Sequence, residues 1–168
     1  MKKLHPYSIC VIDIGSPKLG NIGWSLINKD GTNDWSGQEL DDLFPIISDQ
    51  LETGGLLLGL EAPLFVPIRD DLILATKARK GEERRPWSAG AGAQVLAMNL
   101  PIMIYIFEKI IKSVTKIEFI INSEHFSGVA GQTLIFEAFV SGKDKGESHI
   151  EDAQIMSRYC SQYSKINR

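Results

Sequence analysis

Four acids stand at positions where a carboxylate is costly. Asp13 lies inside the β-branched and apolar run Ile9 to Ile14, and Glu61 follows directly on the apolar run Leu56 to Leu60. Glu137 interrupts a strand-like stretch from Thr133 to Val140, and Asp152 falls on the apolar arc of the last helix, beside His149. Ionisable groups on buried faces are expensive unless they are paired or bound to metal, so these positions predict a polar site. Gathered carboxylates suit Mg²⁺ or Mn²⁺, hard ions that take oxygen ligands and keep several waters. Two such ions about 3.5–4 Å apart would activate a water and stabilise the leaving oxygen of a phosphodiester. Left unpaired, the same acids would repel one another and their pKa values would rise.

Each acid also has a purely structural reading. Asp13, before Gly15, would cap a strand-to-turn transition, and Glu61, before Ala62-Pro63, would be satisfied by neighbouring backbone N–H groups. Glu137 would pair with a lysine on an edge strand, Asp152 would be a first-turn acid stabilised by the helix dipole, and His149 would be a satisfied, partly buried histidine. The basic residues Lys77 to Arg85 likewise read either as a solvated face or as phosphate contacts. Arg84, Arg85, Lys80 and Lys18 are the candidate nucleic-acid contacts. Other chemistries lack their residues: there is no phosphate-binding Gly-Lys-Ser/Thr loop, no cysteine pair at zinc spacing and no Gly-x-Ser-x-Gly elbow.

The elements that must position these side chains follow from periodicity. Ile9 to Ile14 reads as a strand covered on both faces. Asn21 to Ile27, the turn Asn28-Lys29-Asp30-Gly31 and a short strand around Asn33 to Ser36 complete an antiparallel meander. Gln38 to Leu51 has helical spacing at Leu40, Leu43, Phe44, Ile47 and Leu51, stopped by Gly54-Gly55. The stretch from Pro67 to Gly92 predicts a helix followed by an exposed loop, and Ala93 to Ser113 a long helix, apolar nearly all round and bent near Pro101. Two strands follow, near Lys116 to Asn122 and Thr133 to Val140. Ser148 and Glu151 form a capping-box pattern that starts the last helix at His149 and carries it to about Tyr163. Its apolar arc holds Ala153, Met156, Tyr159, Cys160 and Tyr163.

This order, with Ile12-Asp13-Ile14-Gly15, Leu60-Glu61-Ala62-Pro63, Phe136-Glu137-Ala138-Phe139 and His149-Ile150-Glu151-Asp152-Ala153, resembles the ribonuclease H-like superfamily. Within it the chain is similar to uncharacterised predicted nucleases related to the Holliday-junction resolvases. The resemblance implies an α/β domain with a mixed five- or six-stranded sheet, an antiparallel three-strand meander plus parallel strands, flanked by helices. It places the first and fourth strands side by side, so Asp13 and Glu61 become neighbours, and the last helix packs across the same end. It implies that Asp13, Glu61 and Asp152 bind Mg²⁺ or Mn²⁺; Glu137 is a further candidate catalytic acid and His149 a candidate accessory, either of them at the rim of that group. The connection over about 67–92 and the strand near Ile117 depart from the minimal fold and leave substrate shape open.

The chain's 168 residues, 43% of them hydrophobic and 23% charged, fit one ordinary folded domain over 1–168. A net charge of −3 excludes a global basic field, so any nucleic acid must be held by a local patch. No apolar stretch reads as a membrane span, and Cys10 and Cys160 in apolar surroundings fit free thiols in the cytoplasm. The functional expectation is a metal-dependent nuclease acting on DNA or RNA, with a homodimer left open. The alternatives are a non-catalytic binding module of the same fold and an actin-like phosphoryl transferase, which Asp13-Ile14-Gly15 also suggests.

Overall fold

A computed structural model describes residues 7–80, 82, 86–139 and 144–163. Tyr7–Ile14 (β1) is buried at every position after Tyr7, as a β-branched run must be when both faces are covered. Ile22–Ile27 (β2) pairs with it antiparallel, and Asp34–Gly37 (β3) continues the meander on β2. Gly55–Leu60 (β4) lies parallel to β1 on its other side. Beyond β4, Glu118–Ile120 (β5) and Gln132–Glu137 (β6) complete a six-stranded mixed sheet in the order β3-β2-β1-β4-β6-β5. The architecture is α/β, with β1 and β4 at its centre.

Helices cover both faces. Leu40–Thr53 (α1) and Ala91–Ser113 (α2) pack on one side, where Leu43, Ile47, Ile102 and Ile106 meet Cys10, Ile12, Leu58 and Leu60. His149–Tyr163 (α3) covers the other, with Ala153 and Met156 against Val11, Phe136 and Ala138. Burying Leu, Ile and Val side chains contributes about 1.5–3 kcal/mol each, so the α1–α2 side, which holds most of them, is the principal core.

Three expectations are corrected. The helix α2 begins at Ala91, and among the described residues of 67–90 there is no α-helix, only a 3₁₀ turn at Leu72–Leu74. Its apolar side chains Leu72 and Ile73 are exposed, so no stripe is buried to hold a helix, while Asp71 accepts the Ile73 N–H at 2.9 Å and fixes the turn instead. The helix α2 is apolar all round yet buries only its inner side, leaving Leu100, Ile104 and Ile111 half exposed. By length and composition alone it is apolar enough to cross a membrane, although Gln94 and Asn99 interrupt its apolar run. In α3, Tyr159 is exposed and Ser157 is fully buried, its hydroxyl 2.9 Å from that of Ser25. The helix rides close over Gly23 and Ser25 of β2, where only small side chains fit, and that rotates the buried arc.

Candidate metal centre

Side-chain parity across the sheet decides which acids can meet. Val11 of β1 is in register with Gly59 of β4, and Gly59 with Phe136 of β6. Val11 and Phe136 face α3. Two residues further on, Asp13 and Glu61 emerge on that same face, and the Glu61 N–H extends the ladder with a 2.8 Å bond to the Ile12 carbonyl. Glu137 is in register with Leu60, whose side chain belongs to the opposite, α1–α2 side. It therefore turns away from the other acids.

Asp152, in the first turn of α3, completes the group. Asp13, Glu61 and Asp152 each offer an oxygen within 4.8 Å of the others, and they are only 4%, 9% and 5% exposed. Three carboxylates this close and this buried repel one another strongly unless positive charge or hydrogen-bond donors lie among them. Two basic groups do. His149 Nδ1 is 2.5 Å from Asp13 Oδ2, and Lys145 Nζ is 3.5 Å from both Glu61 Oε1 and Asp152 Oδ2. The Gly146 N–H donates to Asp152 Oδ1 at 2.7 Å, which fixes that carboxylate's orientation.

Burial raises the pKa of Asp13 above the ordinary carboxylate range, with a smaller push from Asp152; the attraction and hydrogen bond of His149 and the charge of Lys145 work against it. For Lys145, burial opposes the charge, but attraction from Glu61, then Asp152 and Asp13, outweighs it and holds the pKa above the usual lysine value.

The local sequence explains how α3 reaches the site. Ser148 Oγ accepts the Glu151 N–H at 3.2 Å, half of a capping box. The Glu151 carboxylate reaches one residue beyond the expected partner, to the Glu147 N–H at 2.6 Å. Beneath the helix start, Gly23 is the register partner of Asp13, and its lack of a side chain lets the His149 backbone settle on β2.

The remaining candidates lie elsewhere. Glu137 Oε1 accepts the N–H groups of Leu64 and Phe65 at 2.7 and 3.2 Å and pairs with Arg79 at 2.7 Å. Its partner is thus an arginine from the long connection rather than a lysine, and β6 is interior rather than an edge. Arg79, one of the basic run, is consumed by Glu137 and Glu82. Lys80 and Lys18 are exposed, the latter in a 3₁₀ turn just after β1; Arg84 and Arg85 lie outside the described residues. Lys145 and Gly23 were not marked by sequence reasoning. A lysine four residues before a helix carries no signal of its own, whereas a glycine facing Asp13 in a predicted hairpin register would have been a usable one.

No family model, curated protein or solved structure matches this chain.

Proposed function

We propose that the chain is a ribonuclease H-like, metal-dependent nuclease that hydrolyses phosphodiester bonds of structured nucleic acid. The observation that carries this reading is the meeting of Asp13, Glu61 and Asp152, contributed by β1, the end of β4 and α3. The donor set fits Mg²⁺ or Mn²⁺, since it consists of carboxylate oxygens with no soft ligand among them. Asp13, Glu61 and Asp152 would hold the ion, and its chemistry there would be to activate water and neutralise charge on the phosphate. His149 holds the Asp13 carboxylate in place, and the Gly146 N–H does the same for Asp152. Exposed Lys18 and Lys80 are offered as phosphate contacts. The free thiols Cys10 and Cys160 accord with a reducing, cytoplasmic setting.

The test is cleavage of branched, duplex and single-stranded DNA and RNA with Mg²⁺ or Mn²⁺, comparing wild type with Asp13→Asn and Asp152→Asn. Each substitution keeps side-chain size and removes one negative charge, so cleavage should fall by several hundredfold or more while the fold persists. Wild-type protein that cleaves none of these substrates and shows no metal affinity in calorimetry would favour a binding module. Nucleotide hydrolysis lost in Asp13→Asn would favour an actin-like transferase.

A further inference from the structure

Lys145 reaches from the solvent side between two acids of the carboxylate group. Its Nζ is equidistant, at 3.5 Å, from Glu61 Oε1 and Asp152 Oδ2, and its side chain is about half exposed (47%) whereas those of both partners are nearly buried. The separation exceeds the roughly 2.7–2.9 Å of a tight charge-assisted hydrogen bond. The ammonium is thus held by the field of two carboxylates at once, the relation a bridging cation has to its ligands. Asp13, on the adjacent strand β1, has His149 as its near basic partner in addition to the charge of Lys145.

Charge fixes the consequence. Counting only the carboxylates and the ammonium, three negative charges less one leave two, which a single divalent ion neutralises; a charged His149 would lower the demand for a second ion further. A second divalent ion would leave this nearly buried cluster with a net double positive charge, which is strongly disfavoured where solvent screening is weak. We propose that Lys145 is a built-in second cation, so that the centre takes one divalent ion per chain and Lys145 supplies the positive charge that a second ion would otherwise bring. This deepens the nuclease reading and rests on it, because it concerns the same three carboxylates.

The experiment is Mn²⁺ titration of the full chain at pH 8, followed by the loss of the free-ion paramagnetic resonance signal and by calorimetry. Wild type, Lys145→Met and Lys145→Arg are compared, with circular dichroism confirming that each is folded. Wild type should bind one Mn²⁺. Lys145→Met, which keeps the aliphatic stem and loses the charge, should bind a second or hold the first at least tenfold more tightly. Lys145→Arg should behave as wild type. Two Mn²⁺ ions in wild type, or the same stoichiometry and affinity in wild type and Lys145→Met, would overturn the role given to Lys145 and leave the metal-nuclease reading standing. Absence of Mn²⁺ binding in all three proteins would overturn both.

Discussion

Gly23 lies directly beneath His149: a methyl group placed on Gly23 would fall 2.1 Å from the His149 carbonyl carbon. Because Gly23 is also the register partner of Asp13, one missing side chain lets the start of α3 seat on β2, beside the strand that carries the first acid. The contact ties a backbone feature of β2 to the position of His149 and, one turn later, of Asp152.

Gly23→Ala should therefore harm the centre without touching an acid. The added carbon meets backbone atoms, which cannot rotate away, so the helix start must lift or the strand must shift. Overpacking of this kind costs about 1–3 kcal/mol. Urea unfolding should show that loss, and Mn²⁺ affinity should fall at least tenfold in the same protein. Wild-type affinity in a folded Gly23→Ala variant would mean that the α3 start does not depend on this approach.

Asp13→Asn should stabilise the metal-free protein. Burial, more than any neighbour, raises the Asp13 pKa above its ordinary value of 3.8, so ionising it in the folded state costs free energy. Between the unfolded and the higher folded pKa the native state binds the extra proton, and wild-type stability therefore falls as pH rises through that window. An amide removes this cost. The variant should melt above wild type at neutral pH, and the gain should vanish well below pH 4, where wild-type Asp13 is protonated in both states. Thermal melts with chelator from pH 3 to 8 measure it; a lower Tm for Asp13→Asn at pH 7 would show that the His149 pairing outweighs the burial cost.

The sheet and the meeting of three acids were legible because both depend on period-two patterns and on strand order. Continuous apolar runs mark β1 and β4 as central, and the acids that close them can be counted to a face once the strands are neighbours. Glu137 shows where such reading stops short: it is one residue out of phase with Phe136, and only the β4–β6 register reveals that this turns it to the opposite side. Lys145 was hidden for a different reason. Its place depends on the path of an irregular connection, for which sequence offers no period. The missing helix among the described residues of 67–90 reflects side chains such as Asp71 and Glu82 that accept backbone N–H groups within three residues, an outcome that charge composition does not distinguish from a solvated helix.

In the native protein at pH 8 Cys10 should not react and Cys160 should react only slowly. Complete burial pushes the Cys10 thiol far above its ordinary value, and burial pushes that of Cys160 up to about 11. The thiolate is the nucleophile, so the Cys160 rate should be on the order of 100-fold below that of free cysteine, whose pKa is about 8.5. Cys10 should label only on unfolding. Iodoacetamide labelling read by mass spectrometry, with and without urea, tests this; rapid native labelling of Cys10 would show that β1 is open to solvent.

Arg79 should hold the long connection against the sheet. Its guanidinium bonds Glu82 Oε1 through Nε at 2.8 Å, Glu137 Oε1 at 2.7 Å and the Phe65 carbonyl at 3.1 Å. Glu137 in turn receives the Leu64 and Phe65 N–H groups just beyond Glu61. Arg79→Ala leaves two carboxylates without their cation, and the loss should be about 2 kcal/mol, since hydrogen bonds to charged groups contribute roughly 1.5–3 kcal/mol each and these are partly solvated. The pH dependence is fixed by Glu82, whose pKa is lowered chiefly by its hydrogen bond from Arg79. That contribution is present above the ordinary glutamate pKa and is lost as pH falls through the depressed folded value. The gap between wild type and Arg79→Ala should therefore be widest near pH 7 and narrow in acid. Limited trypsin digestion should cut faster within 67–92 in the variant. Glu137→Gln keeps the acceptor oxygen and separates positioning from chemistry: it should digest only slightly faster than wild type and retain wild-type Mn²⁺ affinity, because Glu137 faces away from Asp13, Glu61 and Asp152. A Glu137→Gln protein that loses Mn²⁺ would place Glu137 among the ligands after all.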